Sequence, residues 1–320
     1  MPQPTVTDVH NSKILTNISV AYQNQLQNFI AQRVFPVVRV EKQTDKYYTY
    51  TKADWFRDEV VVRADGTESA GSGYGLSTAT YSALVWALHK DIGDQLRANN
   101  DTPLSPDADA TRFLTQRMML RQEIQWVADY FTTSVWGTDL TPTNLWSNYA
   151  TSDPVTDIET GKRTILVNTG YLPNTLVLGY DVWIKLRHHP DIVARIDGGA
   201  TTGNPALVSQ QTVAAVFGVD RILIAQAIKN TGLEGETASY GFTHGKHGLL
   251  CYTAGSPGLL APSAGYTFVW SGVAGGLGTN SVIRRMRMDT KRADRIEIEA
   301  AWTNKVVASD VGYFFNGAVA

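Results

Sequence analysis

Phe35-Pro36-Val37-Val38 and Asp45-Lys46-Tyr47-Tyr48-Thr49-Tyr50 are followed by Ala64-Asp65-Gly66-Thr67-Glu68-Ser69-Ala70-Gly71-Ser72-Gly73-Tyr74-Gly75. The chain then returns through Thr78-Ala79-Thr80-Tyr81-Ser82-Ala83-Leu84-Val85-Trp86-Ala87-Leu88. The outer runs are rich in β-branched and aromatic residues, which predicts strands. The middle is made of small residues, which predicts a pliable tip. Two extended arms around such a tip form a long hairpin-like excursion. An isolated hairpin is marginal in water, so this one needs another surface to lie on.

The flanking segments differ in kind. Residues 1–35 are polar and Asn/Gln-rich, with scattered apolar anchors at Ile14, Leu15, Ile18, Leu26, Phe29 and Ile30. They read as an arm, with a short helix over 19–33. Downstream, Ser105 offers an N-cap and Pro106 a first helical residue. Phe113, Leu120, Ile124, Val127, Phe131 and Val135 then recur at helical spacing up to about Trp136, before Gly137. A helix of about 30 residues spans roughly 45 Å and suggests a spine.

Residues 154–270 read as a compact α/β unit. Helices are predicted after Asp153-Pro154, from Tyr180 to His188 before Pro190, and from Ser209 to Phe217. Strands are predicted at 175–178, 221–225, 248–252 and 266–270, and a Gly-rich linker at 272–278. The last 40 residues alternate in period two through 296–302 and recur as strand at 306–307 and 313–315. Such alternation predicts long antiparallel strands with one wet face.

Composition narrows the class. Of the 320 residues 43% are apolar, with eight Trp, fourteen Tyr and ten Phe, so a sizeable core forms. Only 18% are charged, against roughly 25% in ordinary soluble domains. An aromatic-rich, charge-poor surface fits a chain that hides area against other subunits, although secreted monomers share low charge. Net charge is −2, which carries no global signature of nucleic-acid binding. The N-terminus has neither the charged nor the apolar region of a signal peptide. No apolar run reaches the roughly 18 residues of a membrane span.

The usual catalytic patterns are not met. The Gly/Ser stretch at 66–75 lacks the Gly-Lys-Ser/Thr of a phosphate loop and precedes no helix. Gly71-Ser72-Gly73 falls short of a nucleophile elbow. Cys251 sits in an apolar strand-like run and reads as a small buried hydrophobe. His188-His189 sits at a helix end before Pro190, where imidazolium suits the dipole, and reads as a surface or capping pair. His244 and His247 flank a turn with no ligand-spaced partner and likewise read as surface or capping residues. Catalytic, cofactor and metal sites are therefore expected to be none. The one basic cluster is Arg284, Arg285, Arg287, Lys291, Arg292 and Arg295. It reads either as a DNA-facing patch, or as an intersubunit ion-pair network with the glutamates at 297–299 and others, or as a solvated strand face.

The order of parts, from arm through long excursion and spine helix to α/β unit and returning strands, resembles the tailed-phage major capsid protein family. That family has the HK-ninety-seven-like fold, shared by encapsulin shells. Asp54-Trp55-Phe56-Arg57-Asp58, Gly66-Thr67-Glu68-Ser69-Ala70, His89-Lys90-Asp91-Ile92 and the block 112–136 are similar to runs of that family, as are the stretches quoted above.

The resemblance implies an α+β fold with arm 1–35, extended loop 36–92, peripheral domain 93–153 with the spine, axial domain 154–275 and returning peripheral strands 276–320. It implies a non-enzymatic subunit assembling as pentamers and hexamers into an icosahedral shell around double-stranded DNA, in the virion, built in the host cytoplasm without a membrane. Partners would be further copies of itself, a portal protein and a decoration or scaffolding protein. An encapsulin-type compartment is the second reading. Loop residues Tyr47, Tyr48, Tyr50, Trp55, Phe56, Arg57 and Glu68 would be intersubunit contacts, the aromatics because such side chains dominate interface energetics. Packing on their own domain is the alternative.

Overall fold

The computed structural model describes residues 23–100, 104–197, 208–258, 260–273 and 281–320. The chain enters through the single helical turn α1 (Ala31–Val34) and strand β1 (Val37–Val40). A hairpin follows: β2 (Thr44–Tyr50), a tip opening on the turn α2 (Lys52–Trp55), and β3 (Leu76–Ser82). Next come β4 (Leu84–Gly93), the short α3 (Asp94–Ala98), the long α4 (Pro106–Tyr130) and β5 (Thr138–Leu140). An α/β stretch contains α5 (Pro154–Thr169), β6 (Thr175–Gly179), α6 (Tyr180–Arg187), α7 (Pro190–Asp197), α8 (Gln210–Phe217) and β7 (Arg221–Ala225). The pair β8 (Ile228–Asn230) and β9 (Tyr240–Phe242) precedes β10 (Gly248–Cys251) and β11 (Gly265–Trp270). The chain closes with β12 (Val282–Met288), β13 (Ala293–Val306) and β14 (Gly312–Phe315).

Two five-stranded sheets organise these elements. The first has the order β1-β11-β13-β12, with β4 also paired to β13; the second has the order β5-β14-β10-β6-β7. Sheet membership departs from the sequence expectation in two places. Strand β11, expected in the α/β unit, joins the first sheet by pairing in parallel with β1 and antiparallel with β13. Strand β14, expected among the peripheral strands, lies in the second sheet between β5 and β10. The excursion is also narrower than 36–92, because β1 and β4 are built into the first sheet and only 44–82 project as a hairpin.

Helix α4 links the two cores. Its buried residues are Ala110, Leu114, Met118, Gln122, Glu123, Trp126 and Tyr130. Steps of four advance about 40° beyond a full turn, so this ridge winds around the helix. Ala110, Leu114 and Met118 therefore pack on Ile296, Ile298, Ala300 and Trp302 of β13, whereas Trp126 and Tyr130 enter the core of the second sheet. The stripe expected from sequence is displaced: Phe113 is exposed, and Leu120, Ile124 and Val127 are only half-buried. The helix also stops six residues before Trp136. The Trp136 indole turns back and donates to the Tyr130 carbonyl at 2.6 Å, and Trp136 and Phe131 are both buried there.

Local end signals behave as their chemistry requires. The Asp153 carboxylate accepts the N–H groups of Val155 (3.1 Å) and Thr156 (3.0 Å), and Gly170 ends α5 at φ +75°. Ser209 and Thr212 form a reciprocal cap on α8, closed by Gly218 at φ +60°. Pro190 starts a new helix rather than only ending one, consistent with its pre-set φ at a first helical position. Of the helix expected over 19–33, the described part forms only a 3-10 turn at Leu26–Asn28 and α1. The arm anchors Ile14, Leu15 and Ile18 lie outside the described residues, as does most of the Gly-rich 272–278.

Candidate interaction surface

The hairpin is rooted on its own subunit. Tyr81 stacks on Phe268 of β11 with ring centroids 4.7 Å apart and planes at 7°, and Tyr47 stacks on the same ring at 5.7 Å. With Tyr266, Val38, Val40 and Val307 these rings form a small third core beneath β2 and β3. Tyr47 is thus packed at home. The tip is closed at its neck by the Thr51 N–H donating to the Gly75 carbonyl (3.1 Å) and the Gly75 N–H donating to the Asp54 carboxylate (2.8 Å). Tyr50, Trp55 and Tyr74 form an aromatic cluster with centroids 5.9–6.1 Å apart. Phe56 lies beside Gly170 at the end of α5, and Lys52 pairs with Asp310.

At and beyond the neck the hairpin presents apolar surface to solvent. Tyr48, Trp55, Phe56, Tyr74 and Leu76 are all more than half exposed, and Val60 and Val62 are 93% and 100% exposed. Arg57 spans Asp54 (3.7 Å) and Glu59 (3.2 Å), while Glu68 is exposed and forms no ion pair among the described residues. The run Val60-Val61-Val62 was missed in the sequence. Its signal was three consecutive β-branched residues between charged neighbours, in a segment with neither strand nor helix partner.

The basic cluster is held within the chain. The Arg287 guanidinium makes two 2.6 Å bonds to Asp94 and one of 3.2 Å to Asp294. Arg285 also engages Asp294, as does Arg97, which reaches Asp107 too (2.7 Å each). Lys291 and Arg295 share Asp91 at 3.0 and 2.8 Å, and Arg284 meets Glu299 at 3.4 Å. Arg292 is an exposed turn residue at φ +45°. Hydrogen bonds from Arg295 and then Lys291 hold the Asp91 carboxyl well below its usual range, and those from Arg285, Arg97 and Arg287 do the same for Asp294. The network ties α3, β4, α4, β12 and β13 together. Among the described residues Glu299 is the expected glutamate that forms an ion pair, and the network is carried by Asp294 within the cluster together with Asp91, Asp94 and Asp107 from distant sequence.

The histidines correct two expectations. Of the surface and capping roles expected for it, His189 takes the second, and it is buried. Its Nδ1 accepts the Asp191 N–H at 3.3 Å at the start of α7, and its Nε2 lies 3.0 Å from the Ser152 hydroxyl. An accepting, desolvated ring is neutral, and burial pushes its pKa down, so the imidazolium–dipole rationale does not apply. His244 is also fully buried, opposite a buried carboxylate, Glu123, that sequence reasoning did not single out. Cys251 is buried, and desolvation pushes its thiol up to about 12. Among the described residues no group of three or more His, Cys, Asp or Glu is placed to hold a metal, and no helix is long and apolar enough to cross a membrane.

No family model matches the chain. A major capsid protein of Pseudomonas phage JBD67 is 26% identical over 310 residues, 96% of each chain. A phage-related protein from Bordetella bronchiseptica has a similar structure, with TM-score 0.67 and 20% identity over 92% of this chain and 93% of that one. The capsid of cyanophage P-SCSP1u matches with TM-score 0.64 and 12% identity over 100% and 96%. An extended hairpin, a spine helix between two cores and these likenesses define the HK-ninety-seven-like fold of phage capsids. Taken with its sequence relatives, the chain is a phage major capsid protein, a structural component of the virion.

Proposed function

We propose that the subunit assembles as pentamers and hexamers into an icosahedral shell that encloses double-stranded DNA, and that the hairpin loop supplies the principal grip on a neighbouring copy. The observation that carries this is the exposed apolar loop. Val60, Val61, Val62, Trp55, Phe56 and Tyr74 lie on a hairpin whose base is packed and whose neck is hydrogen-bonded. Each valine buried on a neighbour contributes about 1.5 kcal/mol, and the gain repeats at every contact of a closed lattice. Tyr48, Tyr50, Trp55, Phe56, Arg57 and Glu68 are the proposed contacts. Tyr47 serves as a root, since its ring is held by Phe268.

The segment roles follow the same proposal: arm at 1–35, extended loop within 36–92 with its projecting hairpin at 44–82, peripheral domain at 93–153 and 276–320, axial domain at 154–275. The sheet assignments shift β11 toward the peripheral part and β14 toward the axial part. The subunit has no enzymatic role in this account. Its other partners are a portal protein, a decoration or scaffolding protein and the enclosed DNA, with assembly in the host cytoplasm. The paired state of Arg285, Arg287, Lys291 and Arg295 favours a structural role for the basic cluster over a DNA-facing one. The phage relatives favour this account over a cellular encapsulin-type compartment.

Deleting residues 62–76 tests the loop assignment. The expected result is a folded subunit, by circular dichroism, that no longer forms shells in electron micrographs. Normal shells from the deleted chain would remove the loop from the account.

A further inference from the structure

Glu123 lies in the C-terminal third of α4, fully buried beneath the base of the N-terminal arm. Its two carboxyl oxygens accept the Ile30 N–H at 3.2 and 3.1 Å, and Oε2 accepts the Ala31 N–H at 2.9 Å. These are donors at the start of α1. At the other end of that turn, Arg221 donates to the carbonyls of Arg33 (3.2 Å) and Val34 (2.9 Å). The arm is tied further by the Asn24 amide, which pairs with the backbone of Ile228 at 2.9 and 3.1 Å, and by Gln32, which donates to Gln122 at 2.5 Å. Residues 24–34 thus cross α4 and the edge of the second sheet, with Glu123 under the crossing.

Among the described residues no Lys or Arg forms an ion pair with this carboxyl. The group facing it from the loop after β9 is His244, with Nδ1 at 3.7 Å and 3.0 Å from the Thr243 hydroxyl. Trp126 and Phe131 lie against the His244 ring, and its Nε2 has no hydrogen-bond partner among the described residues. His247 lies beyond, against Phe131. From the arm, Gln32 and Arg33 line an adjoining cleft of about 130 Å³ with Leu26, Phe29 and Met119, and Arg33 forms no ion pair with Glu123. A carboxylate sealed from water without a cation pays a desolvation cost that two or three N–H bonds offset only in part. Burial accordingly pushes Glu123 up to about 7 against those bonds, and pushes His244 down to about 3. The imidazole is neutral, so it does not neutralise the carboxylate.

We propose that Glu123 couples the seating of the arm base to the binding of one proton: residues 29–34 close over the protonated carboxyl, and its ionisation weakens their hold. The sign follows from linkage. With the arm lifted, the carboxyl returns to water and its ordinary value of 4.5, so the seated state binds the proton more tightly. Seating is therefore strongest at acid pH and weakens as pH rises through about 7. His244 acts in the opposite sense, contributing above its ordinary 6.5 and losing that contribution as pH falls toward about 3. His247, also pushed down by burial, shares that sense. The two rings oppose the carboxyl most strongly at and below about 6.5, so the comparison that isolates the carboxyl is with a chain that lacks it.

Hydrogen exchange of the peptide spanning 24–36 in the full-length chain, corrected for intrinsic rates, tests this. The opening of the Ile30 and Ala31 amides should rise from about pH 6 to about pH 9 by about tenfold more in the wild-type chain than in Glu123→Gln, as linkage with a released carboxyl requires. That variant keeps an accepting oxygen but cannot ionise, so its profile carries only the opposing share of the two histidines. Equal profiles in the two chains would overturn the proposal. If that variant does not fold, infrared spectra of the wild-type chain decide. A buried protonated-carboxyl band should be present at about pH 6 and lost by about pH 9, and its absence at the lower pH sinks the idea equally.

Discussion

At the residue scale, a few positions set the geometry because nothing else fits. A Cβ on Gly312 would lie 2.1 Å from the Trp136 ring, in the strand that pairs with β10. That indole also ends α4, so the glycine and the helix end depend on one another. Gly312→Ala should cost about 3 kcal/mol, at the upper end for overpacking a filled core, and urea unfolding measures it. A change within about 0.5 kcal/mol would mean that the ring has room to move. Some of this scale was legible in sequence. Asp153 with Gly170 and Ser209 with Gly218 announce helix ends because caps act over three or four residues. Glu123 was not legible: its partners are Ile30 and Ala31, 93 and 92 positions away, and on α4 it looks like an ordinary solvent-facing glutamate.

At the scale of elements, the hairpin and the spine helix carry the account. The hairpin could be read from β-branched and aromatic runs around a Gly/Ser tip, because period and turn chemistry are local. Its root could not, since Phe268 lies far along the chain. The spine was legible as a helix but not in its facing. A ridge in steps of four from Ala110 to Tyr130 serves two different cores, and a search for one fixed stripe selects the neighbouring ridge with Phe113 and Leu120. Sheet membership of β11 and β14 was invisible for the same reason, as pairing is a property of distant segments. The loop yields a test of its own. Replacing Val60, Val61 and Val62 together with Thr should leave subunit stability within about 0.5 kcal/mol, because all three are exposed. It should raise the protein concentration needed for assembly by tenfold or more, about 1.4 kcal/mol per subunit contact, measured by light scattering. An unchanged threshold would show that these valines meet no neighbour.

For the whole molecule, two cores are joined by one helix and the first sheet is stapled by the Asp91, Asp94 and Asp294 ion pairs, and from this body a rooted hairpin projects with apolar side chains in water. Such a subunit is incomplete alone. The low charged fraction of the sequence, 18%, anticipated that surface in kind but could not say where it lies. The central claim is that this chain closes into shells by itself or with its scaffold. Electron microscopy of the purified full-length protein under assembling conditions tests it most directly. The account predicts closed, uniform particles with five-fold and six-fold clusters of subunits. A monodisperse 35.1 kDa species under all such conditions, with no particles, would contradict it.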